Sequence, residues 1–153
     1  MNRPVQLLQG RRKTYQLWLT AFLVLLVMGR SSRADDESDV KRAAADFNIE
    51  FDSNQMNKLY DDFAGQFVRS KVTKAAYVSQ LAIFYANLGG AARSRTIIQQ
   101  QHGPDPGSGN LMYSFRYNAE YPAATVYQDL TFIRENPAGW KLYGIFFYPV
   151  PAQ

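Results

Sequence analysis

The chain after residue 34 begins with apolar side chains at intervals of three and four residues, the spacing of one helix face. The first such run consists of Val40, Ala44, Phe47 and Phe51. Ser38 precedes it at a position where a serine can cap a helix N-terminus. The pattern therefore predicts a helix that begins near Ser38.

Two further runs have the same spacing. One follows shortly after the first helix, and the other follows Thr73, a candidate N-cap, and ends at Gly89–Gly90, which can supply a left-handed C-terminal turn. Their apolar positions are Met56, Leu59, Tyr60 and Phe63 in one run and Tyr77, Leu81, Phe84 and Leu88 in the other. Both runs predict helices.

The second half of the chain changes to a period of two, which indicates half-buried strands. The predicted strands are Arg95–Gln101, Leu111–Tyr121, Thr125–Arg134 and Trp140–Tyr148. Short turns separate the last three strands, so they are expected to pair antiparallel. The fold class predicted is α+β, with N-terminal helices packed on a curved antiparallel sheet of about four strands.

The last strand is apolar on both faces. Tyr143, Ile145 and Phe147 alternate with Leu142, Phe146 and Tyr148, which are expected to face the core with Trp140. A strand that is apolar on both faces is usually covered on both. The candidate interface is therefore the outward set of Tyr127, Ile133, Tyr143, Ile145 and Phe147.

The first 34 residues are typical of a secretory signal peptide. Basic residues precede the apolar stretch Leu17–Met28, and Ser32–Ala34 places small residues where a signal peptidase reads. The stretch is shorter than the about 20 apolar residues of a bilayer span, so a retained anchor is the weaker alternative. The predicted organisation is a leader over residues 1–34, with cleavage after Ala34, and one exported domain over residues 35–153.

Charge and cysteine content exclude several classes of function. Six of the 17 basic residues lie in the leader, which leaves 11 basic against 13 acidic residues, a net charge of −2. That balance argues against a nucleic-acid partner. Without cysteine there is no disulfide, thiolate nucleophile or zinc–thiolate site, and the single histidine, His102, is expected to be a surface residue. No metal or cofactor is predicted, and no membrane partner once the leader is removed.

Three short motifs carry a resemblance to a known family. Leu88–Gly89, Arg95–Thr96 and Trp140–Gly144, the last after a Pro-Ala-Gly turn, resemble the bacterial domain-of-unknown-function family 4019. The resemblance covers about Ala43 to Tyr148. It implies the cone-shaped fold of the superfamily of nuclear transport factor two and ketosteroid isomerase, in which a curved sheet and three helices enclose an apolar pocket.

The chain departs from that family at two positions. Gln128 stands where the family usually carries a glutamate on the third strand, and Ile145 stands where it usually carries an aromatic residue. Because an amide cannot ionise, a carboxylate acid or base at residue 128 is excluded, while a hydrogen-bonding role remains.

Five residues are candidate ligand contacts. Gln128 lies among apolar neighbours, so its amide must find a partner, in the protein or in a ligand. Tyr113, Tyr117 and Tyr121 share a strand face and either line a pocket or pack in the core. Arg95 resembles an arginine that recurs in the family, and it either binds an anion or pairs with a helix carboxylate.

Three functions follow from these observations. The first is a non-catalytic exported domain that holds a small apolar ligand in the concave face of its sheet. The second is an interaction module that forms a homodimer, or binds an envelope partner, through the exposed sheet face. The third, and weakest, is an isomerase or hydratase, which needs a carboxylate inside the pocket and has Asp61, Asp62 and Asp129 as its nearest candidates.

Overall fold

The computed structural model describes residues 35–150, in which four helices precede four strands. The helices are α1 (residues 35–52), α2 (Met56–Phe63), α3 (Gln66–Lys71) and α4 (Lys74–Asn87). The strands are β1 (Ser94–Pro104), β2 (Leu111–Glu120), β3 (Thr125–Glu135) and β4 (Gly139–Pro149). The chain divides into two units after Ser38, and the fold is that of the unit from Asp39 onward. The predicted leader, residues 1–34, lies outside the described residues.

The first predicted helix is confirmed, and its apolar face lies in the core. Val40, Ala44, Phe47 and Phe51 are each at most 1% exposed. Residues 35–38 are already helical. The predicted start near Ser38 is therefore wrong, because the serine lies inside the helix and is not its cap.

The ends of α4 match the prediction. Thr73 Oγ1 accepts a hydrogen bond from the backbone N–H of Ala76 at 3.3 Å, as an N-cap does. Gly89 and Gly90 have φ angles of +80° and +109°, a conformation that favours glycine. By contrast, α3 was not predicted, because a six-residue helix that buries only Val68 has no apolar periodicity to read.

The strands form one antiparallel sheet in the order β1-β2-β3-β4, so β1 and β4 are its edges. The sheet face that contacts the helices is called the inner face here. Phe132 lies on this face, and its ring packs edge-on against Phe47 of α1 and Phe63 of α2. The opposite face is called the outer face. The α+β class and the four antiparallel strands are thus confirmed.

A β-bulge in β4 corrects the predicted face assignment. Thr131 pairs with Gly144 but Phe132 pairs with Leu142, so Tyr143 is an extra residue with no partner. One inserted residue reverses the alternation beyond it, because side chains alternate with a period of two.

The side chains of β4 that follow the bulge therefore lie on the opposite sheet face from the one predicted. Ile145 and Phe147, predicted to face outward, pack against the core on the inner face. Phe146 and Tyr148, predicted to face the core, lie on the outer face and are 56% and 43% exposed.

The two sheet edges differ. On β4, Leu142 forms a parallel bridge with Ala64, from the segment between α2 and α3. On β1, which is longer than predicted, a bulge places Ile98 between the paired residues Ile97 and Gln99. No helix within residues 35–150 is long and apolar enough to cross a membrane.

Candidate functional site

Four of the five predicted ligand contacts meet on the inner face in one polar cluster. Arg95 donates from Nε to Gln128 Oε1 at 2.8 Å and from Nη2 to the Tyr121 hydroxyl at 2.8 Å. The Tyr121 hydroxyl also donates to Gln128 Oε1 at 3.3 Å. Tyr117 hydrogen bonds with Asn48 at the other side of the cluster.

Two residues of α1 complete this cluster. The Asp52 carboxylate accepts hydrogen bonds from both terminal nitrogens of Arg95, with Nη2 at 2.7 Å from Oδ1. Its Oδ1 also accepts a hydrogen bond from the backbone N–H of Ala92 at 3.1 Å. Gln128 Nε2 donates to Asn48 Oδ1 at 2.9 Å. The inner polar cluster is therefore Asn48, Asp52, Arg95, Tyr117, Tyr121 and Gln128.

Burial sets the electrostatics of the cluster. Burial works against the charge of Arg95, but its hydrogen bonds to Asp52 and Tyr121 outweigh that effect and raise its pKa. Burial also raises the pKa values of the Tyr121 and Tyr117 hydroxyls, although Arg95 acts in the opposite direction. The cluster thus holds a charged arginine and neutral tyrosines at neutral pH.

Tyr113 lies apart from this cluster. It is buried toward the far end of β2, where its ring stacks on His102 at 5.0 Å and meets Trp140 edge-on at 5.5 Å. His102 is exposed, as expected from the sequence. Tyr113 is a core aromatic residue that does not meet the other four candidate ligand contacts.

The inner polar cluster satisfies its own hydrogen bonds. The side chain of Gln128 is fully buried, and both its amide oxygen and its amide nitrogen have protein partners. Arg95 is paired with a helix carboxylate, one of the two roles considered for it. A ligand would have to break these bonds to reach Gln128.

Sequence reasoning missed Asn48 and Asp52. They are four residues apart in α1, so they lie one turn apart on the same face, next to the apolar stripe that ends at Phe51. The signal that could have identified them is a polar pair beside a buried helix stripe, in a chain whose strand residues Arg95 and Gln128 still need hydrogen-bond partners.

The outer face carries a groove of about 310 Å³ that crosses the strands. Most of the groove lies over two rows of residues, each with one residue from every strand, as the pairing register shows. The first row is Gln99, Arg116, Asp129 and Phe146. The second row is Gln101, Ser114, Thr131 and Gly144.

The groove is polar over β1, β2 and β3. Arg116 and Asp129 form a bidentate pair, with Nε–Oδ1 at 2.8 Å and Nη2–Oδ2 at 2.7 Å. The hydrogen bond to Asp129 raises the pKa of Arg116. Ser114 and Thr131 are joined by a hydroxyl hydrogen bond of 2.9 Å. These four groups leave the floor of the groove without net charge.

Over β4 the groove is aromatic. The rings of Phe146 and Tyr148 are 6.2 Å apart and inclined by only 23°, and the two residues are 56% and 43% exposed, so they form an exposed pair of nearly parallel rings. Gly144 permits this arrangement, because a Cβ at that position would lie 3.2 Å from the ring of Phe146.

The candidate interface residues do not share one surface. Ile133 lies on the outer face but is only 5% exposed, and Tyr127 lies on the same face beside Tyr148. Tyr143 stacks on Phe67 of α3 at 4.3 Å. Because the remaining candidates, Ile145 and Phe147, turn inward, the predicted five-residue patch is replaced by Phe146, Tyr148 and Tyr127.

The other acids considered are engaged outside the inner polar cluster. Asp61 pairs with Lys74 on the helical surface, and Asp62 pairs with Lys58. Within residues 35–150, no three histidine, aspartate or glutamate side chains come together as a metal site.

No family model, curated protein or solved structure matches the chain. The resemblance to family 4019 therefore depends on the motifs themselves.

Proposed function

We propose that the chain is a non-catalytic binding domain that holds a neutral glycan chain in the outer-face groove. The observation that carries the proposal is the composition of the two rows. Polar side chains line the groove across the sheet, beginning with the amides of Gln99 and Gln101 on β1. At β4 the groove ends at the exposed aromatic pair Phe146 and Tyr148.

Sugars present two kinds of surface, and the groove offers a match for each. The face of an aromatic ring is electron-rich and attracts the C–H bonds of a sugar ring, which suits Phe146 and Tyr148. Hydroxyl groups both donate and accept hydrogen bonds, which suits the amides of Gln99 and Gln101. Arg116 is still 41% exposed and has further N–H groups to donate.

The charge and size of the groove favour a neutral, small segment of ligand. Arg116 and Asp129 neutralise each other, so neither an anionic nor a cationic ligand gains from the field of the groove. The volume of about 310 Å³ lies at the lower end of the range for small-ligand pockets, about 300–1,000 Å³.

Export and membership of the cone-shaped superfamily are part of the same proposal. The signal-like residues 1–34 support export, which would bring the domain to the glycans of a cell envelope. The resemblance to family 4019 is supported by its sequence motifs at Leu88–Gly89, Arg95–Thr96 and Trp140–Gly144.

The inner face is a weaker candidate for ligand binding. An apolar ligand there would displace core rings such as Phe47 and Phe132, both fully buried. An isomerase would need a free carboxylate, and the one carboxylate of the inner polar cluster, Asp52, accepts bonds from Arg95 and Ala92. The homodimer through the exposed sheet face, predicted from the sequence, stays a prediction.

The proposal is tested by calorimetric titration with cellohexaose and chitohexaose as probes. The protein is expressed from its full 153-residue sequence and purified as the cells process it. Its intact mass also tests the export prediction, which expects a chain beginning at Asp35. Phe146→Ala is expected to weaken binding of the preferred probe about tenfold, or about 1.4 kcal/mol.

Phe67→Ala is the matched control. Phe67 is an exposed aromatic residue, 41% accessible, that lies on α3 outside the groove. Its removal should change the affinity less than twofold. A glycan site in the groove would be contradicted if neither probe gives binding heat in calorimetry or chemical-shift changes in nuclear magnetic resonance spectra. Equal losses of affinity in the two variants would contradict it as well.

A further inference from the structure

The strand β1 is an edge of the sheet that residues 35–150 form. Within those residues it pairs only with β2, so alternate backbone N–H and C=O groups along the strand point away from the sheet. An edge of this kind can serve as a template for another strand.

Proteins usually protect a sheet edge with charges, proline or a covering segment. The β4 edge has such protection. Ala64 bridges to Leu142, the charged residue Lys141 lies next to this bridge, and the strand ends at Pro149. From Thr96 to Gly103, β1 has no aspartate, glutamate, lysine or arginine. Its protective features are the bulge at Ile98 and the proline at its end, Pro104.

The exposed side chains of β1 favour association. Ile97 and Ile98 are 46% and 51% exposed, in the middle of the edge. The following segment, from Gln99 to Pro104, keeps an unbroken register with β2 and so presents a regular edge. This edge therefore combines regular backbone, exposed apolar groups and no charge.

We infer that β1 pairs antiparallel with β1 of a second copy of the chain, so that two sheets join into one of eight strands. Two identical edges can meet about a two-fold axis only if their side chains tolerate their own copies. Gln99 and Gln101 meet this condition, because an amide carries both a donor and an acceptor and no charge. A strand with lysine or glutamate there would repel itself.

The same pairing would join the outer-face grooves, a consequence that rests on the proposed function. The two-fold axis of an antiparallel strand pair is perpendicular to the sheet, so both outer faces would lie on the same side. Gln99 and Gln101 line the groove at its β1 end, so the two grooves would meet end to end. A polymer that spans both would gain avidity without any new type of contact.

Sedimentation velocity of the full-length expression product, without any glycan, tests the dimer. The wild type is expected to be dimeric at about 100 μM. The variant Gln99→Lys with Gln101→Lys is expected to be monomeric, and so is Gln99→Glu with Gln101→Glu. An equimolar mixture of the two variants should recover a dimer, since opposite charges then meet wherever residue 99 or 101 of one copy lies opposite residue 99 or 101 of the other.

The matched control places two lysines on the exposed surface of α4, as Gln80→Lys with Ile83→Lys, and it should stay dimeric. Far-ultraviolet circular dichroism confirms that each variant is folded. A monomeric wild type, a dimeric lysine variant, a mixture that stays monomeric, or loss of the dimer in the α4 control would each overturn the inference. The glycan titration is independent, because a dimer that binds no probe leaves the inference standing and removes the proposed function.

Discussion

Both faces of the sheet carry a bidentate arginine–aspartate pair, but in different surroundings. On the inner face, the side chains of Arg95 and Asp52 are 11% and 25% exposed. On the outer face, the side chains of Arg116 and Asp129 are 41% and 20% exposed. The inner pair joins β1 to a helix, whereas the outer pair joins neighbouring strands.

The difference between the pairs separates stability from binding. Arg95 also holds Tyr121 and Gln128, so the inner pair fixes several buried groups at once. Arg116 bonds to Asp129 and lies over the ring of Tyr127, with its remaining N–H groups toward solvent. We therefore expect the inner pair to stabilise the fold and the outer pair to contact a ligand.

Replacing the arginine of each pair tests this separation and should give the largest effect. Arg95→Leu removes a largely buried arginine that bonds Asp52, Tyr121 and Gln128 at once, which typically costs about 3 kcal/mol of unfolding free energy. Arg116→Leu removes an arginine that is 41% exposed and bonds only Asp129 across the strands, so it should cost about 1 kcal/mol or less. Urea denaturation followed by circular dichroism measures both values. Equal losses in the two variants would mean that the faces do not differ as described.

A smaller effect is expected from Gln128→Leu. The leucine has a similar size but removes the acceptor of Arg95 and the donor to Asn48, so unfolding free energy should fall by about 2 kcal/mol. Ser114→Ala, which removes one hydroxyl hydrogen bond on the outer face, should cost about 0.5–1 kcal/mol. If Gln128→Leu is neutral in the same urea assay, the amide is not essential to the inner polar cluster.

Much of the fold follows from hydrophobic periodicity. The spacing of Val40, Ala44, Phe47 and Phe51 identifies α1 because one face of that helix is buried along its whole length. The alternation in β2 and β3 is equally clear, because one face of each strand is buried against the core. Boundaries were less accurate at Ser38, where the local sequence resembles a cap but the helix includes it.

The faces of β4 could not be predicted from the alternation alone. Both of its faces are rich in aromatic residues, so the pattern does not reveal a one-residue shift. A glycine such as Gly144 within a strand often marks a bend, but the bulge at Tyr143 depends on the pairing with β3. That single residue decides whether Phe146 and Tyr148 lie in the core or in the groove.

Four of the six residues of the inner polar cluster were predicted, and the other two were missed for a similar reason. Arg95 and Gln128 stand out as polar residues on strands with apolar neighbours. The partner of Arg95, Asp52, comes from a helix 43 residues away in sequence, and only tertiary packing brings the two together. A pattern within one element identifies a buried polar side chain but not the distant group that satisfies it.

The smallest expected effect concerns a buried hydroxyl without a partner. The Tyr77 hydroxyl on α4 has no hydrogen-bond partner among the described residues, and burial raises its pKa above the ordinary value of 10.0. The folded state therefore keeps this proton longer than the unfolded state. The stability that this tyrosine contributes is complete below pH 10.0 and is lost as the pH rises above that value.

Tyr77→Phe removes the unsatisfied group, so unfolding free energy at neutral pH should stay the same or rise by about 1 kcal/mol. The loss of stability between about pH 8 and about pH 10.5 should also become smaller than in the wild type. Tyr148→Phe on the outer face, where the tyrosine is 43% exposed, is the matched control for removal of a hydroxyl. Urea midpoints at the two pH values give the comparison. A loss of stability at neutral pH in Tyr77→Phe would show that water or another partner satisfies this hydroxyl, and a steeper alkaline loss would contradict the raised pKa.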